Sequence, residues 1–347
     1  MKKIKLISPD AGNGPSKWLW QMPGGEPVWG DCQFSFDVFD ENYDWLVMID
    51  KFPRSLGSST MISCPPERTI FVATEPTSIT YYGGGFVKQF GYLVTNQPEK
   101  ALPHPNALRT QPGNHWFYRK PFDQILSEKP HPKTGLFSVI ATHRMDKHTL
   151  HQLRFDFIRK VVDEIPDADL LFSYKHIEKE MRDIYGDSIK YVSGKHNMVD
   201  DYKYHLVVGN EVGPDILTER ISDAFLGYSV PVSFGCTNLA EYFPEDSFIE
   251  IDIYKPDDAI EKIKSIICDE DDYARRLNSV IEARRLVMEK YNLIPMIVDI
   301  VENHQDQSQG HVKNTKIYNR RVCRFLHLKD LQGFIAFKFR HLVADLA

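Results

Sequence analysis

The chain has 347 residues, 42% hydrophobic and 26% charged, which is too long for one small core and fits two soluble globular domains of ordinary size. A net charge of -6 argues against a general nucleic-acid binder, since phosphate contacts need a basic footprint. Five scattered cysteines with no Cys-x-x-Cys pair suggest neither a disulfide framework nor a zinc site, and no run reaches the roughly 18 apolar residues of a membrane span.

The first half reads as short apolar strands at 4–7, 45–49, 69–73 and 92–95, separated by loops rich in Gly and Pro. The apolar run at the N-terminus ends in Pro9 and Asp10, too soon for a signal peptide. A reducing, cytoplasmic setting is therefore expected. The run Gly83-Gly84-Gly85 follows no strand–helix rule for a phosphate loop and reads as a flexible connection. Pro130, Pro132 and Gly135 mark a boundary.

Beyond it the pattern alternates. A strand at 136–141 precedes a helix at 149–165, in which Leu150, Leu153, Phe157, Ile158 and Val161 recur at helical spacing. A strand at 170–172, a charged helix near 177–184 and a strand at 202–208 follow. A helix at 215–227, strands at 230–234 and 247–251, and helices at 256–268 and 271–289 complete the series. Such alternation implies parallel βαβ units. The fold class expected is α/β, with two Rossmann-like domains facing a cleft: 1–132, 133–300, and a basic tail at 301–347.

Chemistry concentrates in 202–235. Asp215 after Pro214 can cap a helix whose first turn offers unpaired N–H groups to a diphosphate. Arg220 adds a charge with several donors. Glu219 either holds sugar hydroxyls or merely favours the helix start.

Tyr202-Lys203-Tyr204, Asn210, Thr218-Glu219-Arg220, and Pro231-Val232 with Gly235 fall in one register. In that order they resemble the donor-binding motif of the α1,3/4-fucosyltransferases, glycosyltransferase family 10. The likeness covers about fifty residues if 240–252 is counted. Gly209 stands where the family has an acidic residue, Ile216 where it has a tyrosine, and Arg220 where it has a lysine.

The resemblance implies a GT-B fold and an inverting transfer of fucose from GDP-fucose to a hydroxyl of an oligosaccharide or glycolipid acceptor, in an α1,3-type linkage. It implies Glu75, after a strand and before Pro76, as the general base; Glu75 otherwise reads as an ordinary loop acid. It also implies Arg154, Asn210, Thr218, Glu219 and Arg220 as donor-binding residues. Arg154 otherwise reads as a helix-surface arginine. Thr142 and His143, at a strand's carboxyl end, can touch the donor. Arginines and backbone N–H groups neutralise the phosphates, so no metal is expected. The acidic runs Asp257-Asp258 and 269–272 read as helix starts or solvated charge.

From residue 311 the tail carries eight basic residues against two acidic ones, interleaved with Tyr318, Phe325, Phe334, Phe337 and Phe339. Such a segment either lies on an anionic membrane or packs back on the protein. Two rival readings stand: a related transferase using another nucleotide sugar, and a non-catalytic sugar-nucleotide-binding partner.

Overall fold

The computed structural model describes residues 1–9, 16–113, 116–140, 148–172, 178–186, 189–191, 199–303 and 315–346. The chain folds as two compact units. The first comprises Met1–His115, Pro121–Asp123 and Tyr291–Ala347, and the second Trp116–Lys120 and Gln124–Lys290.

The first unit opens with β1 (Lys2–Ile7), α1 (Ser16–Leu19), β2 (Val28–Trp29), β3 (Cys32–Ser35), β4 (Trp45–Ile49) and β5 (Ser59–Ile62). It continues with β6 (Thr69–Ala73), α2 (Gly84–Val87), β7 (Tyr92–Thr95) and β8 (Ala107–Arg109). Its sheet runs β2-β3-β1-β4-β6-β7-β8, parallel throughout except for the edge pair β2–β3. Every residue of β4 and β6 is buried. Continuous apolar runs of this kind suit parallel strands covered on both faces.

After α3 (Phe122–Ser127) the second unit contains β9 (Gly135–Ile140), α4 (His151–Glu164), β10 (Ala168–Phe172), α5 (Glu178–Tyr185), β11 (Ile189–Tyr191) and β12 (Tyr202–Gly213). Then come α6 (Glu219–Leu226), β13 (Val230–Cys236), β14 (Ile249–Glu250), α7 (Pro256–Ile267) and α8 (Asp272–Leu286). All pairs in its sheet are parallel, and the order is β11-β10-β9-β12-β13-β14. Counted within the unit this is 3-2-1-4-5-6, the dinucleotide-fold order, whose direction reverses between β9 and β12.

The chain then returns to the first unit through α9 (Leu293–Asn303), β15 (Thr315–Tyr318), α10 (Arg320–Leu326) and α11 (Leu328–Leu346). Helix α9, which the partition at 133–300 puts in the second domain, lays Leu293, Ile294, Ile297, Val298, Ile300 and Val301 against Ile4, Leu6, Trp45 and Val47. At about 1.5–3 kcal/mol per buried apolar side chain, this contact is a main wall of the first unit. On the sheet's other face a second cluster joins Phe71, Tyr82 and Phe86 to Ile317 and Cys323 from the tail.

The described part of the tail therefore packs back on the protein. Strand β15 pairs antiparallel with β5. Asp330 accepts the N–H groups of Gly85 and Phe86 at 3.1 and 3.3 Å. A Cβ at Gly85 would sit 2.3 Å from the His327 ring, so Gly83-Gly84-Gly85 is a site of close helix approach and not a flexible connection. The outer surface of α10 and α11 leaves Phe325, Leu328, Ile335, Phe339 and Leu342 exposed. Arg321, Lys329, Lys338 and Arg340 are exposed on the same two helices. No described helix is long and apolar enough to cross a membrane.

Candidate functional site

The reversal between β9 and β12 is where an open α/β sheet leaves a crevice at its carboxyl edge. Helix α4, which follows β9, enters that edge. The N–H of Leu150 donates to the Asn210 carbonyl at 3.1 Å, which fixes the start of α4 to the end of β12. One turn later Arg154 points inward, on the buried stripe it shares with His151, Phe157, Ile158 and Val161. Its Nη1 donates to Asn210 Oδ1 at 2.9 Å and to the Val208 carbonyl at 3.5 Å. Arg154 is only 3% exposed, so it is no surface arginine. Two residues 56 positions apart thus meet at the reversal point, where Asn210 orients the guanidinium.

The segment between β12 and α6 is locked from the far side. Asp215, at φ +62°, donates its N–H to Asn238 Oδ1 at 2.8 Å. Its carboxylate accepts from Asn238 Nδ2 at 2.9 Å and from the Tyr242 hydroxyl at 2.5 Å. Asp215 is therefore not the helix cap. The helix begins later than its sequence pattern suggests, at Glu219, with Thr218 as the flanking residue. The reason is the competition offered by Asn238 and Tyr242, which hold Asp215 in a left-handed turn that no helix continues.

Thr218 makes no capping hydrogen bond, and its Oγ1 is buried with no hydrogen-bond partner among the described residues. Glu219 and Arg220 are the first two helical residues, both half-buried. One turn on, Asp223 accepts the N–H groups of Phe117 and Tyr118 at 2.9 and 3.0 Å. Burial and then the Glu219 charge push the Asp223 carboxyl up to about 8, against the pull of those two donors.

Glu75 belongs to the first unit, two residues past the end of β6 and half-buried. Its N–H donates to the Tyr82 hydroxyl at 3.2 Å, and its carbonyl accepts from Gln97 Nε2 at 2.8 Å. Thr142 and His143 lie outside the described residues.

Residues 172–292 match the family described as glycosyltransferase family 10 (fucosyltransferase), C-terminal part. The match covers about a third of the chain. The chain is 25% identical to 4-galactosyl-N-acetylglucosaminide 3-alpha-L-fucosyltransferase 9 of Bos taurus, over 52% of this chain and 54% of that one. It is 32% identical to alpha-(1,3)-fucosyltransferase FucT of Helicobacter pylori, over 21% of this chain and 16% of that one. The chain thus spans about half the length of the first of these relatives. Among solved structures, an alpha1,3-fucosyltransferase is similar at a TM-score of 0.47 and 14% identity, covering 84% of this chain and 92% of that one.

The departures of this segment from the motif have local causes. At Gly209 an added Cβ would meet the Glu211 carbonyl at 3.2 Å and the Phe234 carbonyl at 3.4 Å, while the Gly235 Cα lies 3.5 Å away. Here β12 and β13 shift register between Val208 and Gly213, and the two glycines let the backbones close. Ile216 lays its Cδ1 3.2 Å from where a Gly213 Cβ would be, so a hydrocarbon covers this loop.

The matched segment also holds a buried histidine outside the motif. His205 is fully buried on β12, in register with Ser138 on β9, whose Oγ lies 2.8 Å from His205 Nδ1. Burial, then the Arg220 charge, lowers its pKa to about 3, so the ring stays neutral. His205 Nε2 is buried without a hydrogen-bond partner among the described residues. In sequence it is a polar residue at the head of the apolar run 206–208, which is a weak signal.

Proposed function

We propose that this chain is an inverting glycosyltransferase that moves fucose from GDP-fucose to a hydroxyl of an oligosaccharide or glycolipid acceptor, in an α1,3-type linkage. The observation that carries the reading is the buried Arg154–Asn210 pair at the reversal point of a 3-2-1-4-5-6 sheet. A cation held there, with Arg220 in the first turn of α6, suits a departing diphosphate better than a neutral ligand. The names of the curated relatives support fucose as the sugar and position 3 as the linkage.

In this reading the acceptor hydroxyl gives its proton to Glu75 as it attacks the anomeric carbon. The bond to the diphosphate breaks in the same displacement, and the configuration inverts. Arg154, Arg220 and the N–H groups of the first turn of α6 take up the charge that develops on the leaving group. Thr218, Glu219 and Asn210 orient the donor, and Thr142 and His143 are assigned to it on sequence grounds alone. Charge neutralisation by arginine removes the need for a divalent cation. Transfer is expected to persist undiminished in excess EDTA, and loss that magnesium or manganese restores would refute that part.

The exposed apolar residues of α10 and α11, flanked by Arg321, Lys329, Lys338 and Arg340, suit peripheral contact with an anionic membrane, the setting of a lipopolysaccharide or other lipid-linked acceptor. Co-sedimentation with vesicles rich in phosphatidylserine, reduced several-fold by Phe339→Glu and by salt, is the expected outcome. Equal binding by the parent and the variant would refute it.

The deciding experiment mixes the chain with a panel of sugar nucleotides and acceptors bearing N-acetylglucosamine, glucose or galactose. Release of GDP from GDP-fucose, coupled to a fucosylated product, is expected. Turnover with another sugar nucleotide and none with GDP-fucose would assign a different donor, for which Ile216 is the residue to examine. Binding without any turnover would make the chain a sugar-nucleotide-binding partner.

A further inference from the structure

Four residues far apart in sequence, Asp50, Tyr82, Gln97 and Arg320, gather around the peptide that carries Glu75. Asp50 follows β4 directly, in the left-handed region at φ +57°, and its N–H donates to the Val72 carbonyl at 2.9 Å. Its carboxylate accepts from the Thr74 N–H at 2.8 Å and from the Thr74 hydroxyl at 2.7 Å. It also takes the Tyr82 hydroxyl in a short hydrogen bond. Tyr82 in turn accepts the N–H of Glu75 at 3.2 Å. Gln97, 4% exposed, closes the other side, donating from Nε2 to the carbonyls of Glu75 and Thr80 at 2.8 and 3.1 Å. Arg320 of α10 lays its guanidinium 5.1 Å from the centre of the Tyr82 ring.

The polarity of this chain of bonds is fixed. Tyr82 is fully buried, and burial followed by the Asp50 charge holds its phenol well above the ordinary range, so it stays protonated. A carboxylate only accepts, so the phenol proton goes to Asp50. The phenol oxygen can then only accept from Glu75. Arg320 offsets the Asp50 charge, and its own pKa is lowered by burial and raised by Tyr82 and Asp50. Pro76 restricts the backbone of Glu75 to extended conformations. Both polar groups of the Glu75 main chain are therefore tied, one to Tyr82 and one to Gln97. A strand-end residue that only had to leave the sheet would need none of this.

We infer that Tyr82, braced by Asp50, is a positioning residue that fixes the backbone of Glu75 and so the place from which its carboxylate works. The inference rests on the reading of Glu75 as the base. It concerns orientation, since no atom of Tyr82 or Asp50 is asked to touch a substrate. A displacement of about an ångström at a reacting group costs on the order of a hundredfold in rate, which sets the scale of the effect.

The test is a steady-state comparison of Tyr82→Phe, Glu75→Gln and the double variant, using the donor and acceptor that the parent turns over. Tyr82→Phe keeps the ring and its edge contact with Phe71, at 5.5 Å between centroids, and removes only the hydroxyl. Expected are a fall in kcat of about tenfold to a hundredfold, an unchanged KM for the sugar nucleotide, and a double variant no slower than Glu75→Gln alone. A Tyr82→Phe protein with the parent kcat overturns the inference, and so do losses that multiply in the double variant. If Tyr82→Phe fails to fold, Asp50→Asn is read by the same three criteria. Glu75→Gln at parental turnover would sink the base assignment and the inference with it. An inactive Glu75→Gln beside a fully active Tyr82→Phe would leave the base standing and the positioning role refuted. Absence of transfer from every donor overturns both.

Discussion

The two units carry the same kind of sheet edge and opposite chemistry. Where β4 and β6 end, in the first unit, stand the carboxylates of Asp50 and Glu75, with a phenol and an amide holding the backbone. Where β9 and β12 reverse, in the second unit, a buried guanidinium is held by an asparagine, and a second arginine opens the next helix. Parallel sheets expose strand ends and helix starts at one edge whatever the sequence. The comparison teaches that the fold supplies the place and a few loop residues decide the charge: carboxylates at one edge, guanidinium groups at the other.

Removing the carboxylate breaks the contrast most severely. Glu75→Gln is expected to lower kcat by about 10²–10⁴-fold while calorimetry finds donor affinity unchanged. A parallel loss of donor affinity would show that the edges do not divide the work. Next comes Arg154→Met, which removes the buried cation and leaves Asn210 and the Val208 carbonyl without their donor. About 1–3 kcal/mol of stability should be lost in denaturant melts, and donor affinity should fall about tenfold or more. A variant that binds the donor as tightly as the parent would remove Arg154 from the site.

Acid separates the edges through His205. Its folded pKa, about 3, lies below the ordinary value near 6.5, so the native state binds fewer protons than the unfolded one. Its contribution is complete above pH 6.5 and is lost as pH falls from there towards 3, with a slope of at most about 1.4 kcal/mol per pH unit. Melting curves of His205→Leu should be flatter with pH over that interval. An unchanged pH profile would mean that the ring gains its proton without opening the fold. The smallest effect is expected at Asp215→Ala, which frees the loop before α6 from Asn238 and Tyr242. The KM for the donor should rise by about two- to fivefold with kcat nearly constant. A fall in kcat instead would tie this loop to the chemical step.

Much of this was legible in the sequence. The fully apolar runs of β4 and β6 and the strand–helix alternation after Gly135 mark parallel sheets because burial on both faces leaves no polar alternation to mislead. Asn210, Thr218, Glu219 and Arg220 stand out in the sequence because they cluster at and just after the end of one strand. Other features left no local trace. Asp50, Glu75, Tyr82, Gln97 and Arg320 meet only through tertiary folding. Arg154 has the sequence context of an ordinary helical arginine, and only its place on the buried stripe reveals the inward direction. The pattern puts the helix start at Asp215, but the helix begins at Glu219 because Asn238, twenty-three positions on, claims that capping residue.

The return of α9 to the first unit has a consequence for synthesis. Residues up to His115 leave the ribosome first, yet the wall formed by 293–301 is translated nearly two hundred residues later. At about 5–20 residues per second, the opening sheet waits on the order of ten seconds or more with Ile4, Leu6 and Trp45 uncovered, while the intervening unit can already close. A fragment ending near residue 115 should therefore aggregate, whereas the same residues fused through a short linker to 291–347 should give a soluble product.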